Sequence, residues 1–235
     1  MTRLRKQNFK LFEVIFMHEH ISTFKNFVSP IVCQAIREDV DASNLYEQGI
    51  LDNKGENIER MKTIVDREAR YVMCGTKFNH PELINSVIQS VVENFIEPRY
   101  LCTVQYWEWP QLLIYPEDGG HYKPHVDGEY YYVGDGWKRI TNRDITLLLY
   151  LDDDYDGGEV IFPDYGMMIK PSIGQIITFP SNRNFRHGVN PVTKGYRRVL
   201  VCWLTIYGSQ RAVAFPPPSK HVIRGEYPAI KIVND

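Results

Sequence analysis

Two textures divide the chain. Before Tyr100 apolar residues recur at helical spacing, and after it short apolar runs alternate with polar turn clusters. Phe12 to Met17 reads as a first strand. Ser29-Pro30 pairs a cap-type residue with proline at a first helical position, which predicts a helix from Pro30 to Val40 with Ile31, Ala35 and Ile36 on one side. Residues 41–59 are polar and irregular and predict no regular element. A second helix is expected after Asn79, with Pro81 in its first turn and Leu83, Ile84, Val87, Val91 and Phe95 on one stripe. It should stop near Ile96, with Pro98 marking its end.

Beyond Tyr100 the pattern predicts strands at Thr103 to Trp107, Gln111 to Tyr115, Ile145 to Leu151, Glu159 to Phe162, Met167 to Lys170, Gln175 to Phe179, His187 to Val192 and Arg197 to Ile206. Turns fall at Asp156-Gly157-Gly158, Pro171-Ser172-Ile173-Gly174 and Lys194-Gly195. Many short strands with close turns indicate an antiparallel sandwich or barrel, with the earlier helices buttressing one face. From Gly208 the chain reads as a tail in which Pro216-Pro217-Pro218 favours polyproline II over the surface.

Composition narrows the class. A formal charge of −2 over 235 residues excludes the basic excess of a general nucleic-acid binder. Arg3, Arg5, Lys6 and Lys10 read as a solvated terminus. Cys33, Cys74, Cys102 and Cys202 lie far apart, which rules out a zinc ribbon and argues against a disulfide framework. No apolar stretch reaches the length of a membrane helix, and Leu11 to Met17 is too short for a secretory signal, so a soluble, cytoplasmic protein is expected.

Candidate chemistry centres on His125 and Asp127. On an extended chain these two positions share a face, so an imidazole nitrogen and a carboxylate oxygen can reach one ion. HxD alone is weak evidence, because so short a motif recurs by chance. A third ligand, His187, opens a later strand and would complete a 2-His-1-carboxylate face suited to non-haem iron(II). Arg197, ten residues on, shares a face with Val199, Val201 and Trp203, while Arg198, Leu200, Cys202 and Leu204 share the other. A guanidinium on so apolar a face needs a partner, and the far carboxylate of a dicarboxylic acid would supply one.

In order and spacing these residues resemble the 2-oxoglutarate/Fe(II) oxygenases, on the prolyl 4-hydroxylase branch, over roughly Val104 to Ile206. Tyr115-Pro116, a glycine-rich turn and Tyr122 lead into the HxD pair. Asp144 to Leu151, Gly157-Gly158, Glu159 to Phe162 and Lys170 to Phe179 follow as in that family. The resemblance implies a double-stranded β-helix (jelly-roll, cupin-like) core at 101–207, helical packing at 20–100 and an extension at 208–235. It implies Fe(II) on His125, Asp127 and His187, with 2-oxoglutarate and O2 as cosubstrates and ascorbate as reductant. Arg197 and Tyr150 would hold the C5 carboxylate of 2-oxoglutarate, Tyr115 would line its pocket and Trp203 would close the floor. The anchor is arginine here, where collagen-type members carry lysine.

The substrate implied is a proline-containing protein or peptide, with no nucleic acid and no membrane involved. The aromatic segment 128–142 offers Tyr130, Tyr131, Tyr132 and Trp137, joined by Tyr122 and Trp203, to grip an extended chain, or it packs on itself as a lid. Trp107 and Trp109 are open to the same two readings. His121 is read as supporting or surface rather than a fourth ligand, and Asp152-Asp153-Asp154 as a solvated turn. Two competing expectations stay open: the same chemistry on another side chain, a free amino acid or a nucleobase, and a non-catalytic jelly-roll binding module.

Overall fold

The computed structural model describes residues 14–52, 62–128, 130–133, 136–212 and 220–230, with backbone only at 14–18, 51–52, 62, 130–133 and 137. The N-terminal basic cluster, Phe12-Glu13 of the expected first strand and Pro216-Pro217-Pro218 lie outside the described residues. The fold is mostly antiparallel β. A ten-stranded sheet is built around Ile176–Pro180, Ile145–Tyr150, Arg197–Ile206 and Gln111–Tyr115, adjacent in that order. A second sheet runs Met167–Ile169, Val160–Phe162, His187–Val189, His121–His125 and Arg70–Tyr71.

Strand alternation sorts side chains into two cores. Ile145, Leu147 and Leu149 join Leu200, Cys202 and Leu204 under the helices. Leu148, Tyr150, Val199, Val201 and Trp203 face the second sheet. The expected division of the Arg197 strand into two faces is therefore the division observed. The helix Pro81–Val91 presents Ile84, Val87, Ile88 and Val91, all essentially buried, to the large sheet. Each such burial is worth about 1.5–3 kcal/mol. Trp107 belongs to this core as well, fully buried with its Nε1 donating to Asn85 Oδ1 at 3.0 Å.

Several expectations are corrected. The first helix, Pro30–Asp39, lies where expected, but its buried side is Cys33, Ile36 and Asp39, with Ile31 and Ala35 exposed, and Ser29 sits at its cap position without a side-chain cap bond. Pro98 does not end the second helix. The chain continues as a π-helical stretch, Val92–Ile96, and then as a turn, Glu97–Tyr100, before Leu101 stops it in the left-handed region at φ 50°. Proline forfeits one ladder bond, and a π-helical turn beside it is a way to absorb that loss. The segment expected to be irregular holds a 3-10 turn, Ala42–Asn44, and strands Tyr46–Glu47 and Ile50–Asp52, the latter paired with Lys62–Ile64.

The aromatic segment contains a hairpin, Tyr130–Val133 with Gly136–Arg139. The strand expected over His187 to Val192 is two strands, and Val192–Lys194 pairs instead with Asp156–Gly157. Asp152 is not solvated: it is fully buried and receives Arg198 Nη1 at 2.8 Å, with Arg37 Nη1 at 3.8 Å. The tail returns as a strand, His221–Ile223, on the edge of Val104–Glu108, and Val222 is buried there. All four cysteines are free. No helix among the described residues is long and apolar enough to cross a membrane.

Candidate metal centre

His125 closes one strand of the second sheet and His187 opens its antiparallel neighbour, so the two stand directly opposite in register. Their rings lie 4.4 Å apart. Asp127 follows two residues after His125 and turns inward. Its Oδ1 is 3.4 Å from His125 Nε2 and its Oδ2 is 3.5 Å from His187 Nε2. One donor atom from each of the three lies within 4.8 Å of the others, the only such group among the described residues.

Tautomers follow from the other ring nitrogens. His125 Nδ1 lies 3.0 Å from Lys123 O and His187 Nδ1 lies 3.1 Å from Phe185 O. A carbonyl only accepts, so each Nδ1 carries the proton and each Nε2 keeps its lone pair toward Asp127. Burial pushes the His187 imidazole down to about 4, which keeps it neutral. Burial opposes charge on Asp127 too, but His187, His125 and the Thr146 hydroxyl override it and hold that carboxyl far below its usual range. Thr146 Oγ1 donates to Asp127 Oδ2 at 2.7 Å and has Ser181 Oγ 2.8 Å away. Two imidazole nitrogens and a carboxylate on one side of a point form a donor set that fits a divalent transition metal.

A cavity of about 420 Å³ adjoins the three residues, and Tyr115, Tyr122, Arg197 and Trp203 line it with them. Arg197 is 1 % exposed. Its Nη2 donates to the Tyr150 hydroxyl at 3.2 Å, and the Tyr115 ring lies 4.6 Å from its guanidinium carbon. Nε and Nη1 have no hydrogen-bond partner within ordinary distance, and the buried Tyr155 hydroxyl lies beside the guanidinium. An unpaired buried guanidinium is costly, and these open donors fit the distal carboxylate of a dicarboxylic acid. Gly158 makes the room: a Cβ there would stand 2.9 Å from Arg197 Cδ, and its φ of +64° favours glycine.

The remaining expected contacts divide. Tyr122 stacks on the His125 ring at 3.5 Å, and Trp203 carries the Arg143 guanidinium over its ring at 3.7 Å. The side chains of Tyr130, Tyr131, Tyr132 and Trp137 lie outside the described ones. His121 turns away, with its Nδ1 2.8 Å from Gly119 O. Trp109 donates to Thr76 O at 2.7 Å. Sequence reasoning missed Thr146, Tyr155 and Arg143. A readable signal existed for Thr146, the polar residue on the Leu148–Tyr150 face of an apolar strand. Arg143 pairs with Glu108 at 2.7 Å, a contact across 35 residues that no local pattern announces.

Fold and site thus define a jelly-roll protein with a candidate 2-His-1-carboxylate metal site beside a cavity of about 420 Å³. Residues 110–205 match the 2OG-Fe(II) oxygenase superfamily. A PKHD-type hydroxylase of Paraburkholderia phymatum is 27 % identical over 208 residues, 83 % of this chain and 84 % of that one. Prolyl 3-hydroxylase 2 of Mus musculus is 41 % identical over 78 residues, 30 % of this chain, so the match spans only 11 % of that relative's length. Among solved structures, the viral collagen prolyl hydroxylase of Paramecium Bursaria Chlorella virus-1 superposes with a TM-score of 0.57 at 21 % identity, covering 79 % of this chain and 95 % of its own. Over residues 110–205 the chain is thus similar to the 2OG-Fe(II) oxygenase superfamily, and its fold is of the prolyl 4-hydroxylase type.

Proposed function

We propose that this chain is a 2-oxoglutarate- and iron(II)-dependent dioxygenase that hydroxylates proline in a protein or peptide, with His125, Asp127 and His187 as its metal ligands. The observation that carries the reading is the convergence of those three donors with an unpaired buried Arg197 on one cavity. The prolyl part is supported by the similarity to the prolyl 3-hydroxylase and to the fold of the viral collagen prolyl hydroxylase.

Iron(II), 2-oxoglutarate and O2 would supply the oxidising power, releasing succinate and carbon dioxide as one oxygen atom enters the substrate. Ascorbate would keep the metal reduced. The protein's share is positional. Arg197, already bonded to the Tyr150 hydroxyl, would with it hold the distal carboxylate of the cosubstrate through charge-assisted bonds. Tyr115 and Gly158 shape that pocket. Thr146 pins Asp127. Tyr122 and Trp203, packed against His125 and Arg143, fix the rings that border the substrate's approach and exclude water.

The test is mass spectrometry of proline-rich peptides incubated with enzyme, Fe(II), ascorbate and 2-oxoglutarate. A gain of one oxygen on proline, matched by succinate, is expected. Oxygen placed on another residue, or turnover stimulated only by free amino acids or nucleobases, would remove the prolyl reading and keep the oxygenase.

A further inference from the structure

The active-site cavity has a second buried cation that the reading above leaves unused. Arg70, 7 % exposed, lines the same cavity as the metal triad. It lies on a short strand whose partner carries His121 and Tyr122, with Tyr122 directly opposite it. Its guanidinium sits 4.2 Å from the centre of the Tyr122 ring, and that ring stacks on His125 at 3.5 Å. Arg70 is therefore the outer end of a three-layer stack that terminates on a candidate ligand.

Its polar contacts are neutral. Nη2 donates to Gln48 Oε1, and Gln48 Nε2 donates to Gln111 Oε1 at 2.8 Å. Nε is buried without a partner, and no carboxylate pairs with Arg70 among the described residues. Arg143, the other arginine on this cavity besides Arg197, already has Glu108.

Charge balance then singles Arg70 out. A divalent ion, the Asp127 carboxylate, a doubly charged 2-oxoglutarate and the Arg197 guanidinium cancel one another. Arg70 remains as an uncompensated charge in a desolvated wall, an arrangement that is costly unless an anion arrives. We propose that Arg70, held by Gln48 and stacked on Tyr122, receives a carboxylate of the substrate, so that the preferred substrate carries an acidic group beside the residue that is hydroxylated. This rests on the oxygenase reading and narrows its substrate class.

The test uses matched carboxylate and amide probes: a proline-rich peptide with Glu or Gln flanking the proline, and N-acetylproline against its amide. Each is titrated by calorimetry, without oxygen, into full-length enzyme loaded with Fe(II) and 2-oxoglutarate. Turnover of 2-oxoglutarate is measured in parallel. The carboxylate member of at least one pair should bind roughly ten- to hundredfold tighter than its amide, the range expected for a charge-assisted bond in a buried site.

Arg70→Gln should abolish that preference, and Arg70→Lys should keep part of it, while 2-oxoglutarate affinity stays unchanged in both. Circular dichroism shows whether each variant is folded, and the wild-type comparison stands without either. Absence of preference in every pair, whether both members bind or neither does, overturns the inference. So does an Arg70→Gln effect confined to 2-oxoglutarate affinity. A carboxylate preference without proline oxidation would sink the prolyl reading alone. Proline oxidation with equal binding of both members in both pairs would sink this inference alone.

Discussion

Each candidate ligand has its reactive atom aimed by a neighbour that is not itself a ligand. Phe185 O and Lys123 O set the imidazole tautomers, and the Thr146 hydroxyl occupies one lone pair of Asp127 Oδ2. Thr146 is fully buried and also meets Ser181, so its hydroxyl has little freedom to reorient. Thr146→Val keeps the β-branched shape and deletes only the donor. Iron affinity, titrated under anaerobic conditions, should fall by about 10–100-fold, the usual cost of losing a hydrogen bond to a metal ligand, while the melting temperature without metal changes little. Unchanged affinity would mean that the bond is incidental to ligand placement.

Among the elements, the helices and the sheets depend on different information. The helix Pro81–Val91 is anchored at its start by Asp39, the last residue of the first helix. That carboxylate accepts from the His80 backbone N–H at 2.9 and 3.1 Å and lies 2.6 Å from His80 Nδ1. The hydrogen bond to Asp39, aided by its charge, raises the His80 pKa above 6.5. A raised folded value means the contribution is fully present below pH 6.5 and is lost as pH rises through that higher value. The melting-temperature gap between wild type and His80→Gln should therefore be open in mild acid and close on the alkaline side. A gap that ignores pH would show that the imidazolium contributes nothing.

Local pattern revealed the second helix because Leu83, Ile84, Val87, Val91 and Phe95 repeat along one stripe. It revealed the central strands because Ile145–Tyr150 and Arg197–Ile206 are apolar on both faces. Tyr46–Glu47 and Arg70–Tyr71 escaped it, since two-residue strands exist only through their partners. For the same reason Arg70 was invisible as a cavity residue. Its surroundings come from Gln48, Gln111 and Tyr122, brought together by pairing across the sheets. His125, Asp127, His187 and Arg197 were legible because their spacing is itself chemical information. Asp152, read as solvated, misled because its two arginine partners are 46 and 115 residues away.

At the scale of the whole molecule, one sheet serves two purposes. Its outer face is sealed by helices and carries most of the apolar core, while its inner face ends in Arg197, Tyr150 and Tyr115. Burying a guanidinium there works against folding until a carboxylate arrives, so the cost of the site should appear in stability measurements. Wild type should show two separate gains in melting temperature: one on adding metal, a second on adding 2-oxoglutarate to the metal-loaded protein. At a hundredfold excess over Kd the second gain is about 2.7 kcal/mol, or roughly 5–11 °C for a domain of this size. Arg197→Met replaces the charge with a chain of comparable length and leaves the three ligands in place. It should keep the metal-dependent gain and lose the 2-oxoglutarate-dependent one. The variant without metal or cosubstrate should melt no lower than wild type, because no satisfied ion pair has been removed. A variant that keeps the second gain in full would show that the distal carboxylate is held elsewhere. A metal-free variant that melts far below wild type would show that Arg197 is already satisfied before any ligand binds.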